Sequence, residues 1–249
     1  MDPNPATGQR EKSDEDILVD SFFPPVPFDD PKALAEREEP RTRKAQELLD
    51  KDPSLPYITA IIMAGDLVSA ERSDKMLEAG VSFQRALHFV GSYGRVDFAL
   101  RAQDRGYCTE EELFEILPEL WAFSDPDDTD VRFLTMWHKA WLHNKRRPIT
   151  DGRPLPGAVL RIYRGQDAFD DDTFGRDPDR LPVGIAWSLD KSVAEKFAHG
   201  AALRVRNRPN PAIIVAKVKR KHVYAYLTAR GESEVIVNPF DVMATDVEV

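Results

Sequence analysis

The chain has a single cysteine, Cys108, in 249 residues, so no intrachain disulfide can form and the composition fits a reducing compartment. No segment approaches the ~18 consecutive apolar residues that a membrane-spanning helix requires. The opening Met1-Asp2-Pro3-Asn4-Pro5 lacks the basic start and apolar stretch of an export signal, and the expectation is a cytoplasmic protein with no membrane contact. Positive charge is also short: 34 Lys and Arg stand against 43 Asp and Glu, a net charge of -9. Such a surface repels nucleic acid and anionic lipid, and either partner would need a local basic patch. Metal ligands are sparse, since His138 and His143 stand five apart, off a common helical face, with no Cys/His cluster beside them. No metal is expected, and no internal repeat or low-complexity tract is present.

What remains is a globular composition, 42% hydrophobic and 31% charged, in a chain long enough for two modest domains. Residues 1–31 combine acidic residues with prolines at 24, 25, 27 and 31, which resist both helix and sheet, and read as a flexible leader. Phe22 and Phe23 are its anchors, expected to dock on the protein's own surface. Residues 32–147 carry helical spacing and read as a helical domain. Thr109-Glu110-Glu111-Glu112 is a capping box, followed by Leu113, Ile116, Leu117 and Leu120 on one face, with Pro118 expected to kink or end the helix. Further helices are predicted over 57–68, 71–79, 82–90, 93–105 and 129–145. Trp121, Trp137, Trp141 and His138 fall at helical positions and read as the core of this domain.

The stretch 147–157 is dense in turn formers and reads as a linker, after which the pattern changes to short β-rich runs at 158–163, 183–188, 212–219, 222–226, 234–237 and 241–248. One helix interrupts them, Lys191 to His199, with Asp190 as its N-cap and Gly200 closing it. The fold class is therefore α+β, with a second domain over 155–249.

Three short constellations carry chemistry. Strand alternation puts Leu160, Ile162 and Arg164 on one face, so a guanidinium ends an apolar row. It either pairs with a nearby carboxylate or binds phosphate through its planar fork. Gly165 follows it, and a missing side chain there would let a flat ring approach the backbone. Gly184, Ala186 and Ser188 form a second face made only of small residues, suited to close helix packing or to a cleft floor. Glu232-Ser233-Glu234 precedes Val235-Ile236-Val237, and an extended backbone would place both carboxylates on one face. They are either an exposed turn before a core strand or a catalytic pair, one stabilising a cationic centre and the other handling a nucleophile.

In order and spacing, Tyr163-Arg164-Gly165, then Ala186-Trp187-Ser188-Leu189-Asp190 with Val193-Ala194 and Phe197-Ala198, then Glu232-Ser233-Glu234-Val235-Ile236-Val237, resemble the Arg, Ser and Glu-x-Glu motifs of toxin-like mono-ADP-ribosyltransferases. The resemblance covers about 155–249, and phage and bacterial proteins share a similar layout, which would place the chain in a host cytoplasm if phage-encoded. It implies a split β-sandwich with an NAD cleft between two sheets. It further implies that Arg164 binds NAD phosphate and ribose, that the Gly165 backbone holds the nicotinamide amide, and that Glu234 binds the nicotinamide ribose. Glu232 matches the residue that orients or deprotonates the acceptor, and Ala186 and Ser188 line the NAD site. The family's middle motif begins with serine where this chain has Ala186. The implied function is transfer of ADP-ribose from NAD, the co-substrate, to an acceptor. Protein arginine is favoured because the pair is Glu-x-Glu. A nucleic acid base is the alternative acceptor, suggested by Arg204, Arg206, Arg208, Lys217, Lys219, Arg220 and Lys221, and a non-catalytic binding module is the alternative class, suggested by Ala186. The acidic run Asp170-Asp171-Asp172, with Asp177 and Asp179, reads as an insertion.

Overall fold

The structure, a computed structural model, describes residues 12–23, 30–53, 55–124, 128–167, 184–199 and 211–248. Helices and a mixed sheet make it α+β, as the sequence indicates. It divides into two compact units, residues 1–113 and 114–249.

The first unit holds helices α1 (Asp14–Phe22), α2 (Pro31–Lys51), α3 (Tyr57–Glu78), α4 (Phe83–His88) and α5 (Arg95–Asp104). Helix α1 lies inside the segment expected to be a flexible leader, and its cause is local. The Asp16 amide donates to Ser13 Oγ at 3.1 Å while the Ser13 amide donates to the Asp16 carboxylate at 3.2 Å, a reciprocal cap. Glu15 then accepts from the Ser82 amide at 3.0 Å and hydroxyl at 2.6 Å, which ties α1 to the start of α4. Phe23 stacks on Phe89 with ring centroids 4.6 Å apart, so this anchor does dock on its own chain. Where two helices were expected over 57–68 and 71–79, α3 runs unbroken. Ala45 of α2 meets Ala60 and Ala64 of α3, small residues that let two helices approach closely.

Helix α6 (Glu110–Ala122) begins at the expected capping box, with the Glu112 amide on Thr109 Oγ1 at 3.2 Å and the Thr109 amide on Glu112 Oε2 at 2.8 Å. It accommodates Pro118 without ending there. Then follow α7 (Val131–His143), β1 (Ile149–Thr150), β2 (Val159–Asp167), β3 (Ala186–Ser188), α8 (Lys191–Ala198), β4 (Pro211–Lys219), β5 (Val223–Leu227), β6 (Glu234–Val237) and β7 (Met243–Glu248). The strand order is β1-β5-β6-β3-β2-β4-β7, with β1 parallel to β5 and the other pairs antiparallel. Strand β2 pairs with β4 along its whole length, but with β3 only at Tyr163↔Ser188. The sheet is thus two ribbons joined at one point. Leu160, Ile162, Trp187, Val218, Val235 and Val237 fill the core.

The division between units falls at 113, well before the linker expected at 147–157. The reason is packing that a helical pattern does not announce. His138 of α7 meets the Tyr224 hydroxyl at 3.0 Å, Trp141 lies 5.4 Å from the Tyr224 ring, and Ile149–Thr150 within the expected linker adds a strand to β5. Trp121 and Trp137 are core residues, but of the unit that contains the sheet, whereas Trp141 is partly buried and His138 is exposed, so the core expectation fails for His138.

Candidate active site

The register brings the three motifs into one lateral row. Tyr163 of β2 is paired with Ser188 of β3, and Ser188 with Glu234 of β6. Two inter-strand gaps therefore separate the Arg and Glu motifs, roughly 10 Å.

Arg164 ends the buried row of Leu160 and Ile162, as alternation predicts. Its Nη1 donates to Asp128 Oδ2 at 2.5 Å and its Nη2 to Asp128 Oδ1 at 3.1 Å, a bidentate ion pair. Nη1 also donates to the Ala186 carbonyl at 2.7 Å, and the Ala186 amide donates to Asp128 Oδ2 at 3.1 Å. Both charged side chains are mostly buried, at 16% and 20% exposure. The Arg164 Nε is buried without a hydrogen-bond partner among the described residues. Of the two readings of this arginine, the carboxylate pair is the one present.

The small-residue face has the same explanation. A Cβ on Gly184 would stand 2.2 Å from Asp128 Oδ2 and 2.4 Å from Arg164 Nη2, so glycine there makes room for the ion pair. Gly165 is likewise accounted for by packing: a Cβ would stand 2.0 Å from the Ala194 carbonyl oxygen and 2.4 Å from the Ala198 amide nitrogen. The backbone of α8, not open space for a ring, fills that side. Gly165→Ala is expected to destabilise the unit by about 1–3 kcal/mol or more, since neither backbone group can swing away. A urea midpoint unchanged from the parent would show that α8 does not lie there.

Ser188 is 6% exposed and fully engaged. Its hydroxyl donates to the Glu232 carbonyl at 2.6 Å and accepts from the Asp190 amide at 3.0 Å, so it fixes the backbone of the Glu-x-Glu segment and the entry to α8. The expected extended backbone through that segment does not occur. Ser233 has φ 47°, in the left-handed region, and β6 begins only at Glu234. The turn removes Glu232 from the strand alternation that was to align the two carboxylates.

Glu234 is partly buried, and its Oε1 accepts from Trp121 Nε1 at 3.1 Å. Its pKa rises from the ordinary 4.5 to about 7, chiefly because burial disfavours the anion; the Trp121 bond opposes this, Glu232 and Asp128 add repulsion, and Arg230 lowers it. Arg230 is anchored by Nη2 on the Ser124 carbonyl at 2.8 Å.

No family model, curated protein or solved structure matches the chain.

The site therefore stands on its own geometry, which assembles Arg164, Ser188, Glu232 and Glu234 around β2, β3 and β6 and adds two residues that sequence reasoning missed. Asp128 lies in Asp125-Pro126-Asp127-Asp128-Thr129-Asp130, where nothing distinguishes one carboxylate from its neighbours. Trp121 has a helical-face position that fits an ordinary core residue, which in part it is. Arg204, Arg206, Arg208, Asp170, Asp171, Asp172, Asp177, Asp179 and Gly200 lie outside the described residues. Among the described residues, no group of three or more His, Cys, Asp or Glu is placed to hold a metal, and no helix is long and apolar enough to cross a membrane.

Proposed function

We propose that the second unit is an NAD-dependent mono-ADP-ribosyltransferase, with protein arginine as the favoured acceptor. The observation that carries this reading is that the pairings Tyr163↔Ser188 and Ser188↔Glu234 bring the segments of all three motifs side by side, with Asp128, the partner of Arg164, near enough to Glu234 to raise its pKa. The single-point junction of β2 and β3 supports a split sandwich of the ADP-ribosyltransferase kind, with NAD lying along the split. Arg164 would take the pyrophosphate through the fork that now grips Asp128.

In this chemistry the bond between the ribose C1′ and the nicotinamide nitrogen breaks, and nicotinamide leaves with the electron pair. Positive charge grows on the ribose, and the Glu234 carboxylate stabilises it more than it stabilises bound NAD. The acceptor nitrogen donates its lone pair to C1′ and releases a proton, for which Glu232 is the assigned base. The anionic form of Glu234 is required, so its elevated pKa predicts activity that rises with pH through about 7. Trp121→Phe removes a bond that favours the anion. It is expected to move the inflection of the NAD hydrolysis profile to higher pH and to lower the rate at pH 7 by roughly tenfold. A lower rate at every pH with an unmoved inflection would mean that Trp121 serves packing alone.

A second reading, a non-catalytic module of the same fold, is favoured by the Arg164 fork being already closed by Asp128. Incubation with labelled NAD followed by separate protease and nuclease digestion discriminates. Label lost to protease alone supports a protein acceptor, label lost to nuclease alone a nucleic acid, and absence of both label and nicotinamide release the module.

A further inference from the structure

A basic feature among the described residues of the second unit lies away from the site above. Residues leaving α7, the start of β2 and the end of β4 line an open cleft of about 1000 Å³. Six cations surround it: Arg146, Arg147, Arg153, Lys219, Arg220 and Lys221. All six are exposed, and among the described residues none is engaged in an ion pair. The only carboxylate in the sequence between 146 and 159 is Asp151, and it accepts from Thr228 Oγ1 at 3.1 Å instead of neutralising the cleft. Val159 and Arg164 are five residues apart on β2, roughly 17 Å of strand, so the cleft is separate from the candidate NAD site.

The backbone that delivers these charges is unusual. Lys145 and Arg146 have φ 54° and 60°, consecutive non-glycine residues in the left-handed region. Residues with ordinary side chains adopt that conformation rarely, and it persists only where surrounding structure holds it. Here the Arg146 amide donates to the Trp141 carbonyl at 2.9 Å and Asn144 Nδ2 to the Arg147 carbonyl at 3.0 Å, which fix the turn without using either guanidinium group. At the other side, the Arg220 amide on the Ala158 carbonyl at 2.9 Å holds the two chain segments together.

From this cluster we infer that the cleft binds single-stranded nucleic acid through its phosphodiester backbone, independently of the proposed NAD chemistry. In a chain of net charge -9, six cations around one concavity, none in an ion pair among the described residues, concentrate positive potential there. Four of the six are arginines, whose forks match phosphate oxygens bidentately. Concavity disfavours a bilayer, whose planar headgroups cannot reach cations lining a cleft. Its volume suits a short length of one strand more than a duplex. Pro148, Pro154 and the exposed Val159, which line the same cleft, offer apolar contact to base faces without reading sequence.

The test measures binding of a fluorescein-labelled single-stranded DNA 15-mer to the full chain between 50 and 300 mM salt. Six phosphate contacts predict a slope of about -4 for log affinity against log salt. The triple variant Arg153→Gln, Arg220→Gln, Lys221→Gln changes only exposed side chains. It is expected to bind at least about tenfold more weakly, with the slope roughly halved. Its melting temperature should match the parent's. Absence of binding at 50 mM salt, or an affinity and slope unaltered by the triple substitution, overturns the inference. So does binding of phosphatidylserine vesicles, or of inorganic pyrophosphate, at least as tight as that of the oligonucleotide and equally sensitive to the substitutions.

Discussion

Glu234→Gln is expected to lower NAD hydrolysis and transfer by about 10²–10³-fold, the scale of removing one preplaced charge-stabilising group, while making the protein more stable at alkaline pH. The two effects have one origin. The amide keeps the shape of the carboxylate and an oxygen to accept from Trp121, but it removes the charge that would face the developing cation. In the fold, that charge is unfavourable: burial raises the Glu234 pKa from 4.5 to about 7. Below about pH 4.5 the carboxyl is protonated in both folded and unfolded chains and costs nothing. As pH rises towards 7, the unfolded chain releases a proton that the folded chain retains, and stability falls. Above 7 the deficit is constant, on the order of 3 kcal/mol. Glutamine does not titrate, so its stability advantage should grow between pH 4.5 and 7, reaching a melting-temperature gain of several degrees at pH 8.5. An inactive variant with no pH-dependent gain would place the charge of Glu234 in a more solvated setting than the structure does. An active, more stable variant would remove Glu234 from the proposed chemistry.

The parts of this fold that were legible in the sequence are those set by local rules. Alternation through Leu160, Ile162 and Arg164 gave β2 its buried face and its terminal charge, and Asp190 marked the start of α8 through its own side chain. The motif segments lie at β2, β3 and the start of β6, although Glu232 and Ser233 precede the strand. What local rules do not carry is partnership across distance. Asp128 and Arg164 are 36 residues apart, and Trp121 and Glu234 are 113 apart, so neither contact has a sequence signature. The unit boundary was obscured for the same reason, since an amphipathic helix records that it has a partner but not whether that partner is a helix or a sheet. The turn at Ser233 is a different case: a residue type that normally avoids positive φ adopts it beside Gly231, at φ 72°, and defeats the period-2 reading of Glu232 and Glu234. The reciprocal cap of Ser13 and Asp16 lies in the segment whose prolines led to the expectation of a flexible leader.

Arg164 and Asp128 set up the second large expected effect, because the pair is at once structural and, on the proposed reading, in competition with substrate. Arg164→Ala would leave the Asp128 carboxylate mostly buried with only the Ala186 amide as a described partner, and a loss of about 3–5 kcal/mol is expected. That variant reports on folding and says little about NAD. Two conservative changes separate the roles. Arg164→Lys keeps a positive charge near Asp128 but loses the planar fork, and should weaken NAD binding by roughly 10–100-fold, a charge-assisted hydrogen bond being worth about 1.5–3 kcal/mol. Asp128→Asn keeps the size of the side chain and an oxygen that can accept from Arg164, but it withdraws the charge that holds the fork. If pyrophosphate must displace Asp128, this variant should bind NAD more tightly than the parent while melting at a lower temperature. Opposite signs for affinity in Arg164→Lys and Asp128→Asn, measured by calorimetric titration, are therefore the expected result. A loss of NAD affinity in both would mean that the ion pair supports the NAD site from behind and does not compete with its ligand. No NAD binding by the parent or by Asp128→Asn would leave Arg164 as a purely structural cation, and the non-catalytic module as the better reading of the unit.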